Sequence, residues 1–569
     1  MTIAIVCLCF AALLVFLIIR QHRNEKAERI RAFKNKFGTL SSRRYPQGQL
    51  MHTGSCARDY QKNHAQTFYV DDLTWADLEM NRIFGALDTN LSPAGREYLY
   101  SSLRLPLEAA SHAKELDELS TRLMENESER EKTWECFRGL RSGGRFRMDK
   151  RDALSLYEYL DTLTSLNSTS CVPSVIACAA FIASIVYFCF SPTVGILVLM
   201  AVIAVNLGSY FHIRGKLGNY FRSLQKAVAL AGFAAGYSGA FPEKKDKLSR
   251  RIKELSDELS PMRRNAWLLE LGSGSSSLPD VLMSYVRMLT HCDLIYFSRS
   301  ASKARKYRDD LMELYRAAGF IETALATASF RRALPVWCRP EISAERRLHL
   351  ENVYHPLIQN TVPNSIDLSQ NLLLTGSNAS GKSTFLRTAA IAVILGEALD
   401  TVPAKSAAFG PFAVMSSMSV SDSLESGASL YMAEIRSLKR ITDAAGAGGH
   451  PILVCADEIL RGTNTAERVA GSTEILRWLG KQNCLVLAAT HDGELTGELA
   501  GDKPDNFVNM HFSESTDAGG VVFTYKIQPG AADSSNAIAL LKRLGFPEEI
   551  TERAGKEAAE VLAHTTDGV

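Results

Sequence analysis

The stretch GSNASGKS, Gly376 to Ser383, joins an apolar run, Leu372 to Leu374, to TFLRTAAIAVILGEAL, which reads as a helix. The spacing G-x-x-x-x-G-K-S between a strand and a helix is suited to a polyphosphate. Glycines let the backbone bend until successive N–H groups point at phosphate oxygens, and the helix N-terminus adds a fixed positive pole. Lys382 would neutralise the β and γ phosphates, and the Ser383 hydroxyl would hold Mg2+. Two further runs end in groups that suit the same chemistry. PILVCADE reads as a buried strand ending in Asp457 and Glu458, one carboxylate for the metal and one for a water attacking the γ phosphate. CLVLAATH is a second such strand, and it brings His491 to the same sheet edge, where a γ-phosphate sensor can sit. A single strand-end acid or a lone histidine is usually structural. In this order and spacing the three together point to hydrolysis of a nucleotide.

Between the loop and Asp457 lies DSLESGASLYMAEIRSLKRI, residues 422 to 441. Ser429 precedes a helix whose apolar face includes Leu430, Ile435, Leu438 and Ile441, so one reading is an N-cap. The Ser-Gly-Ala-Ser run also resembles the signature of ABC-type ATPases, which completes a partner's nucleotide site across a dimer. The residues alone leave both readings open.

The elements that must hold these groups follow from pattern. After YHPL, 354 to 357, short β-type runs (NLLLTG, PILVCADE, CLVLAATH, VVFTYKI) alternate with helices, as in an α/β domain with a largely parallel sheet. From Asp71 to about residue 335 the pattern is helical, broken by GSGSSSLP at 272 to 279. DDLTWADLEMNRIFGAL spaces Leu73, Leu78, Ile83, Phe84 and Leu87 along one side, with Thr74 and Asp77 placed like a capping box. LSPAGREYLYSSLRLPL restarts a helix with Ser92 as its cap and Pro93 in the first turn.

Composition sets wider bounds. The 569 residues suffice for about three or four domains, and 64 basic against 62 acidic residues leave a net charge of only +2. No global positive field therefore draws the chain to nucleic acid; any attraction must be local. Eleven cysteines occur without a CxxC pair, several inside apolar runs, and read as reduced thiols packing as small hydrophobes rather than as a disulfide or zinc framework.

Three apolar runs stand apart. Ile3 to Ile19 is 17 residues without a charge, and nine Lys or Arg against two Glu follow between Arg20 and Arg44. No Lys or Arg precedes it, so it reads as an uncleaved anchor rather than a signal peptide, with the N-terminus outside and the body cytoplasmic. Val172 to Phe190 and Thr193 to Phe211 are equally free of charge and meet at Ser191-Pro192. Back to back they predict a membrane hairpin with both ends facing the cytoplasm, the basic residues His212, Arg214, Lys216 and Arg222 following the second run. Ala227 to Pro242 is shorter, rich in Gly and Ala, and reads as a soluble helix or loop.

These motifs resemble the MutS family of DNA mismatch-repair ATPases. TGSNASGKSTFLR is similar to the family's phosphate loop and VPA, 402 to 404, follows as in the family. DSLESGASLYMAEI resembles its signature, DEILRGTNT at 457 to 465 its Walker B segment, and ATHDGEL at 489 to 495 its histidine switch. WADLEMNRIFGALDTNLSPAGREYLYSSLRLPL resembles the start of its helical core, and WCRPEI and YHPL the junction with the ATPase.

The apolar runs and the resemblance together imply a multidomain chain: transmembrane helices from the former, and from the latter an all-α core or lever domain and a C-terminal α/β ABC-type P-loop ATPase domain. The divisions expected are an anchor at 1–20, a basic juxtamembrane segment at 21–70, a helical domain at 71–345 interrupted by the hairpin at 172–211, and an ATPase domain at 346–569. It implies ATP and Mg2+ as cofactors. Phosphates would lie on Gly376, Ser377, Asn378, Ala379, Ser380, Gly381, Lys382, Ser383 and Thr384, and magnesium on Ser383 and Asp457. Glu458 would activate water, His491 would sense the γ phosphate, and Ser429 would act in trans on the partner's ATP in a homodimer that clamps DNA.

Departures from the family are as informative. The fifty or so residues between the first run and the helical core are too few for the family's mismatch-reading and connector domains, and the Phe-x-Glu triplet at Phe241 to Glu243 falls elsewhere. No Phe, Tyr or Trp lies between Pro356 and Leu374, where the family often supplies an aromatic to adenine, and its signature Thr is Leu430 here. The hairpin interrupts the core about where relatives carry the DNA-gripping clamp. The expected function is a membrane-anchored, ATP-driven DNA clamp in the cell membrane. Its Arg20 to Arg44 cluster would serve anionic lipid or DNA. The alternatives are an ABC-like motor for transport or membrane remodelling, and a nucleotide-regulated scaffold.

Overall fold

The computed structural model describes residues 16, 20–21, 23–45, 50–64, 66–140, 155–165, 170–244, 246–269, 278–377, 380–418, 430–500, 506–517, 520–532, 538, 541–542 and 545–566. The first apolar run, Ile3 to Ile19, therefore lies almost wholly outside the described residues. A helical N-terminal region leads into a C-terminal region of mixed α/β sheets.

The helices that matter below are α1 (Asp72–Asp77), α2 (Pro93–Arg104), α3 (Val172–Phe190), α4 (Pro192–Lys216), α5 (Gly218–Ala240), α6 (Leu278–Thr290), α7 (Cys292–Lys306) and α8 (Arg308–Ala333). The predicted capping box is not formed. Asp71 caps α1, its carboxylate accepting from the Thr74 N–H at 2.9 Å, and Glu79 in the left-handed region at φ 51° ends the helix before Met80–Leu87 begins. Asp77 also crosses to the C-terminal region. Leu78, Ile83, Phe84 and Leu87 are buried as the periodicity predicts, but Leu73 is exposed.

Ser92 caps α2 through the Gly95 N–H, with Pro93 in the first turn. The buried carboxylate of Glu322 on α8 also accepts from the Ser92 N–H at 3.0 Å. A side chain at Gly95 would meet that carboxylate, which is why the smallest residue stands there. Such paired satisfaction of a helix start is what allows it to be buried.

α3 and α4 form the hairpin, and α4 runs on to Lys216, five residues beyond the apolar run ending at Phe211. Only 11 % and 17 % of their most apolar stretches are buried. Their buried residues are Ser174, Ser184, Gly195, Asn206 and Tyr210, whereas Ile176, Ile182, Leu197, Met200 and Val205 point outward. Small and polar side chains face the protein and large apolar ones face away, the reverse of a soluble helix pair. Ala227 to Ala240 belongs to α5, whose Leu230, Phe233 and Tyr237 are in the core.

The C-terminal region holds two sheets. Strands β1 (Glu341–Ile342), β2 (Leu348–Val353), β3 (Asn364–Leu368) and β5 (Ser406–Phe409) make a mixed four-stranded sheet in the order β1-β5-β2-β3. The larger sheet contains β4 (Asn371–Thr375), β6 (Ala413–Ser417), β7 (Ile452–Asp457), β8 (Cys484–Ala489), β9 (Phe507–Asp517) and β10 (Gly520–Pro529), in the order β10-β9-β4-β8-β7-β6. It is parallel except for the edge strand β10, which pairs antiparallel with β9. The fully buried β4 and β8, and β7, buried up to its terminal Asp457, are the near-continuous apolar runs that a sheet covered on both faces requires. Helices α9 (Lys382–Leu399), α10 (Leu430–Ala447) and α11 (Thr465–Gly480) follow β4, precede β7 and precede β8 respectively.

The two regions share one buried apolar cluster, running from Leu78 and Leu99 through Ala318 and Leu325 of α8 to Leu386 and Ile394 of α9. Polar ties cross it. The Asp77 carboxylate accepts from the Ser416 hydroxyl at 2.7 Å and the Met418 N–H at 3.0 Å, and its carbonyl accepts from Arg387 on α9 at 2.8 Å. Arg331, near the end of α8, is enclosed and donates to Asp117 at 2.6 Å, Thr401 at 2.8 Å and the Asp400 carbonyl at 3.0 Å.

Candidate functional site

β4 delivers the chain to Gly376, which adopts φ 140°, and the loop closes at Gly381 with φ 108°. Both angles lie where a side chain is strained, so the two glycines of the motif are conformational requirements. α9 starts at Lys382, whose ammonium donates to the Gly376 and Ser377 carbonyls at 2.7 and 2.8 Å. Ser380 is buried beside them, and Ser383 and Thr384 line a cleft of about 480 Å3. Asn378, Ala379 and Ser429 lie outside the described residues.

The parallel order of β4, β8 and β7 brings three strand ends to this loop. Asp457 ends β7; the Ser383 hydroxyl bonds its carboxyl, and burial pushes its pKa above the ordinary range. Its Oδ1 is buried with no hydrogen-bond partner, an acceptor left over beside a hydroxyl. That donor set, a carboxylate oxygen and a serine oxygen, is the hard-oxygen pair a magnesium ion takes.

Glu458 follows in the left-handed region at φ 52°, its N–H held by the Ala489 carbonyl at 2.9 Å. This turn re-aims its carboxylate away from the sheet and onto His491, at 2.7 Å. The hydrogen bond from His491 chiefly, with Arg461 and Lys382 adding charge, holds the Glu458 pKa below the usual carboxylate range. His491 Nε2 is also 3.4 Å from the Lys382 ammonium. The chain Lys382–His491–Glu458–Arg461 thus joins the loop to the ends of β7 and β8.

Several members of the site were not visible in sequence. Arg461 pairs with Glu458, and Arg468 on α11 grips Asp492 with two bonds of 2.9 and 2.7 Å, fixing the turn after His491. Tyr525, at a register shift in β10 with φ 55°, lies over Gly381: a Cβ there would stand 3.4 Å from its ring. His355 and Ile358 line the opposite wall of the cleft. Burial lowers the His355 pKa to about 4, so its ring is neutral at pH 7.

The fold and the site define the class: a multidomain chain in which a helical region is fused to an α/β domain with a glycine loop facing two acids and a histidine. Residues 372–562 match the family profile of MutS domain V. The DNA mismatch repair protein MutS of Streptococcus sanguinis is 34% identical over 279 residues, 47% of this chain and 32% of that protein. Those of Natronomonas pharaonis and Thermus thermophilus are 33% and 32% identical over 45% and 44% of this chain. The C-terminal α/β region of the chain is thus similar to MutS domain V. The matches span about a third of the length of these relatives.

Proposed function

We propose that this protein is a membrane-anchored MutS-family ATPase whose ATP hydrolysis, in a homodimer, drives a clamp on DNA. The observation that carries this reading is the convergence of Lys382, Ser383, Asp457, Glu458 and His491 on one glycine loop at the ends of the parallel strands β4, β7 and β8. Ser383 and Asp457 would hold magnesium, which supplies positive charge to the phosphate oxygens. Lys382 binds the β and γ phosphates and, with the loop N–H groups, offsets charge as it develops on them. Glu458, ionised at neutral pH, orients and deprotonates the attacking water. His491, bonded to Glu458 and close to Lys382, registers whether a γ phosphate is present. Ser429 would complete the partner's site.

Tyr525 and His355 are well placed to hold the base, the contact that residues 356 to 374 do not provide. Tyr525→Ala is expected to raise the KM for ATP about tenfold, the value of one lost aromatic–base stack of roughly 1–3 kcal/mol, with kcat changed little. Equal KM values in the variant and the parent would remove Tyr525 from the base site.

The hairpin of α3 and α4, with small and polar residues inward and large apolar ones outward, supports two membrane spans, and the basic Arg214 and Lys216 in the last turn of α4 support a cytoplasmic ATPase. Its position within the helical region supports delivery of the ATP-driven movement at the membrane surface. The expected DNA contact is with phosphates, hence independent of sequence and weakened by salt. The test is binding of homoduplex, mismatched and branched DNA to the detergent-solubilised protein, with and without ATP, across salt. Comparable salt-sensitive binding to the first two is expected. Failure to bind all three would overturn the DNA clamp and favour an ABC-like motor acting on the membrane.

A further inference from the structure

Helix α6 lies against the hairpin but presents its apolar face outward. Val281, Leu282, Tyr285 and Val286 follow the i, i+3, i+4 spacing of a single helical stripe, and with Met283 they are 41 to 61 % exposed. A soluble amphipathic helix turns such a stripe inward. Here the opposite side is the one engaged: α6 packs on both α3 and α4.

Its C-terminal end is fixed in depth by polar contacts. The Asn206 amide donates to the Leu289 carbonyl at 2.9 Å and to the Ala177 carbonyl of α3 at 3.0 Å. His291 Nε2 lies 3.1 Å from the Asn206 carbonyl, and Arg287 and Arg214 flank the enclosed carboxylate of Asp293 at 3.8 and 3.7 Å. Asn206 stands roughly 21 Å along α4 from Pro192 at the 1.5 Å rise of a helix. In a hydrocarbon layer about 30 Å thick, that places the junction roughly 9 Å inside the cytoplasmic boundary, the depth at which an interfacial helix rests. Past this junction, α7 borders a cleft of about 450 Å3 lined by Arg264, Arg299 and Lys303 and by no carboxylate, which puts cations on the headgroup side of α6.

We infer that α6 is a further membrane element, an interfacial helix in the cytoplasmic leaflet with its stripe among phospholipid acyl chains. The inference rests on the reading of α3 and α4 as a membrane hairpin. It makes the helical region grip the bilayer along its surface as well as through it, so that tilting of the region would be resisted by the membrane plane.

The test places the photoreactive residue benzoylphenylalanine singly at positions 282, 197 and 257 of the full chain, in vesicles of phosphatidylcholine and phosphatidylglycerol carrying a labelled acyl chain. Position 197 reports the hairpin, and 257 is an exposed site on the Lys247–Glu258 helix. Lipid adducts are expected at 197 and 282, each about tenfold above 257. Adduct at 197 with none at 282, or cross-linking of 282 to a second copy of the chain, would overturn the inference and leave the hairpin standing. Loss of adduct at 197 would overturn the membrane reading and this inference with it.

Discussion

Glu458→Ala is expected to bind ATP with near-parental affinity and to hydrolyse it about 10²–10⁴-fold more slowly, the usual contribution of a positioned general base. The binding groups are elsewhere: the loop glycines, Lys382 and Ser383 keep their places because none depends on the Glu458 side chain. What is lost is an ionised acceptor whose pKa the His491 bond holds down and whose direction is set by the left-handed turn at φ 52°. Glu458→Gln should behave similarly, since the amide keeps the size of the side chain and can still accept from His491, but cannot take a proton from water. Single-turnover hydrolysis alongside equilibrium binding of a fluorescent ATP analogue separates the two quantities. Unchanged turnover in both variants would sink the assignment, whereas lost binding would show that Glu458 supports the loop instead.

The second large effect concerns stability. Arg331→Ala is expected to destabilise the protein by about 3–5 kcal/mol, the cost of breaking a buried ion pair from one side. The guanidinium stacks on Trp337 at 4.3 Å and donates to Asp117, Thr401 and the carbonyls of Leu399 and Asp400. Its removal strands the buried acceptors at the end of α9, while Asp117 keeps a partial partner in Arg339 at 2.9 Å. Arg331→Lys should recover little, because one ammonium cannot reach acceptors on three sides. Urea unfolding followed by the tryptophan fluorescence of the chain measures the loss; a change below about 1 kcal/mol, the scale of an exposed pair, would refute the role of Arg331 as a tie between the regions.

Most of the residues gathered around the glycine loop were legible in sequence because each part is local. The glycine loop, the strand ending in Asp457 and Glu458, and the strand ending in His491 are each contiguous, and a parallel sheet aligns such ends without further information. The groups that escaped notice are those brought in by distant chain or unusual backbone. Tyr525 reaches Gly381 through a strand irregularity about 140 residues later, and Arg461 bends back across a turn that a sequence pattern does not encode. Asp77 misled for the opposite reason: its spacing from Thr74 fits a local cap, yet Ser416 and Met418 compete for the same carboxylate and win once the regions meet. The smaller sheet, with a two-residue strand and mixed directions, offers too little periodicity to announce itself.

The shared cluster that passes from the helical region into α9 has a consequence for how this chain can be divided. A connection made only of linker would let the α/β part be lifted out as a cassette and transplanted onto another helical region. Here Asp77 is pinned to a strand and a helix of that part at once, and α8 lends it apolar surface along the same seam. The α/β region therefore has no housing of its own on that side: the helical region is one of its walls.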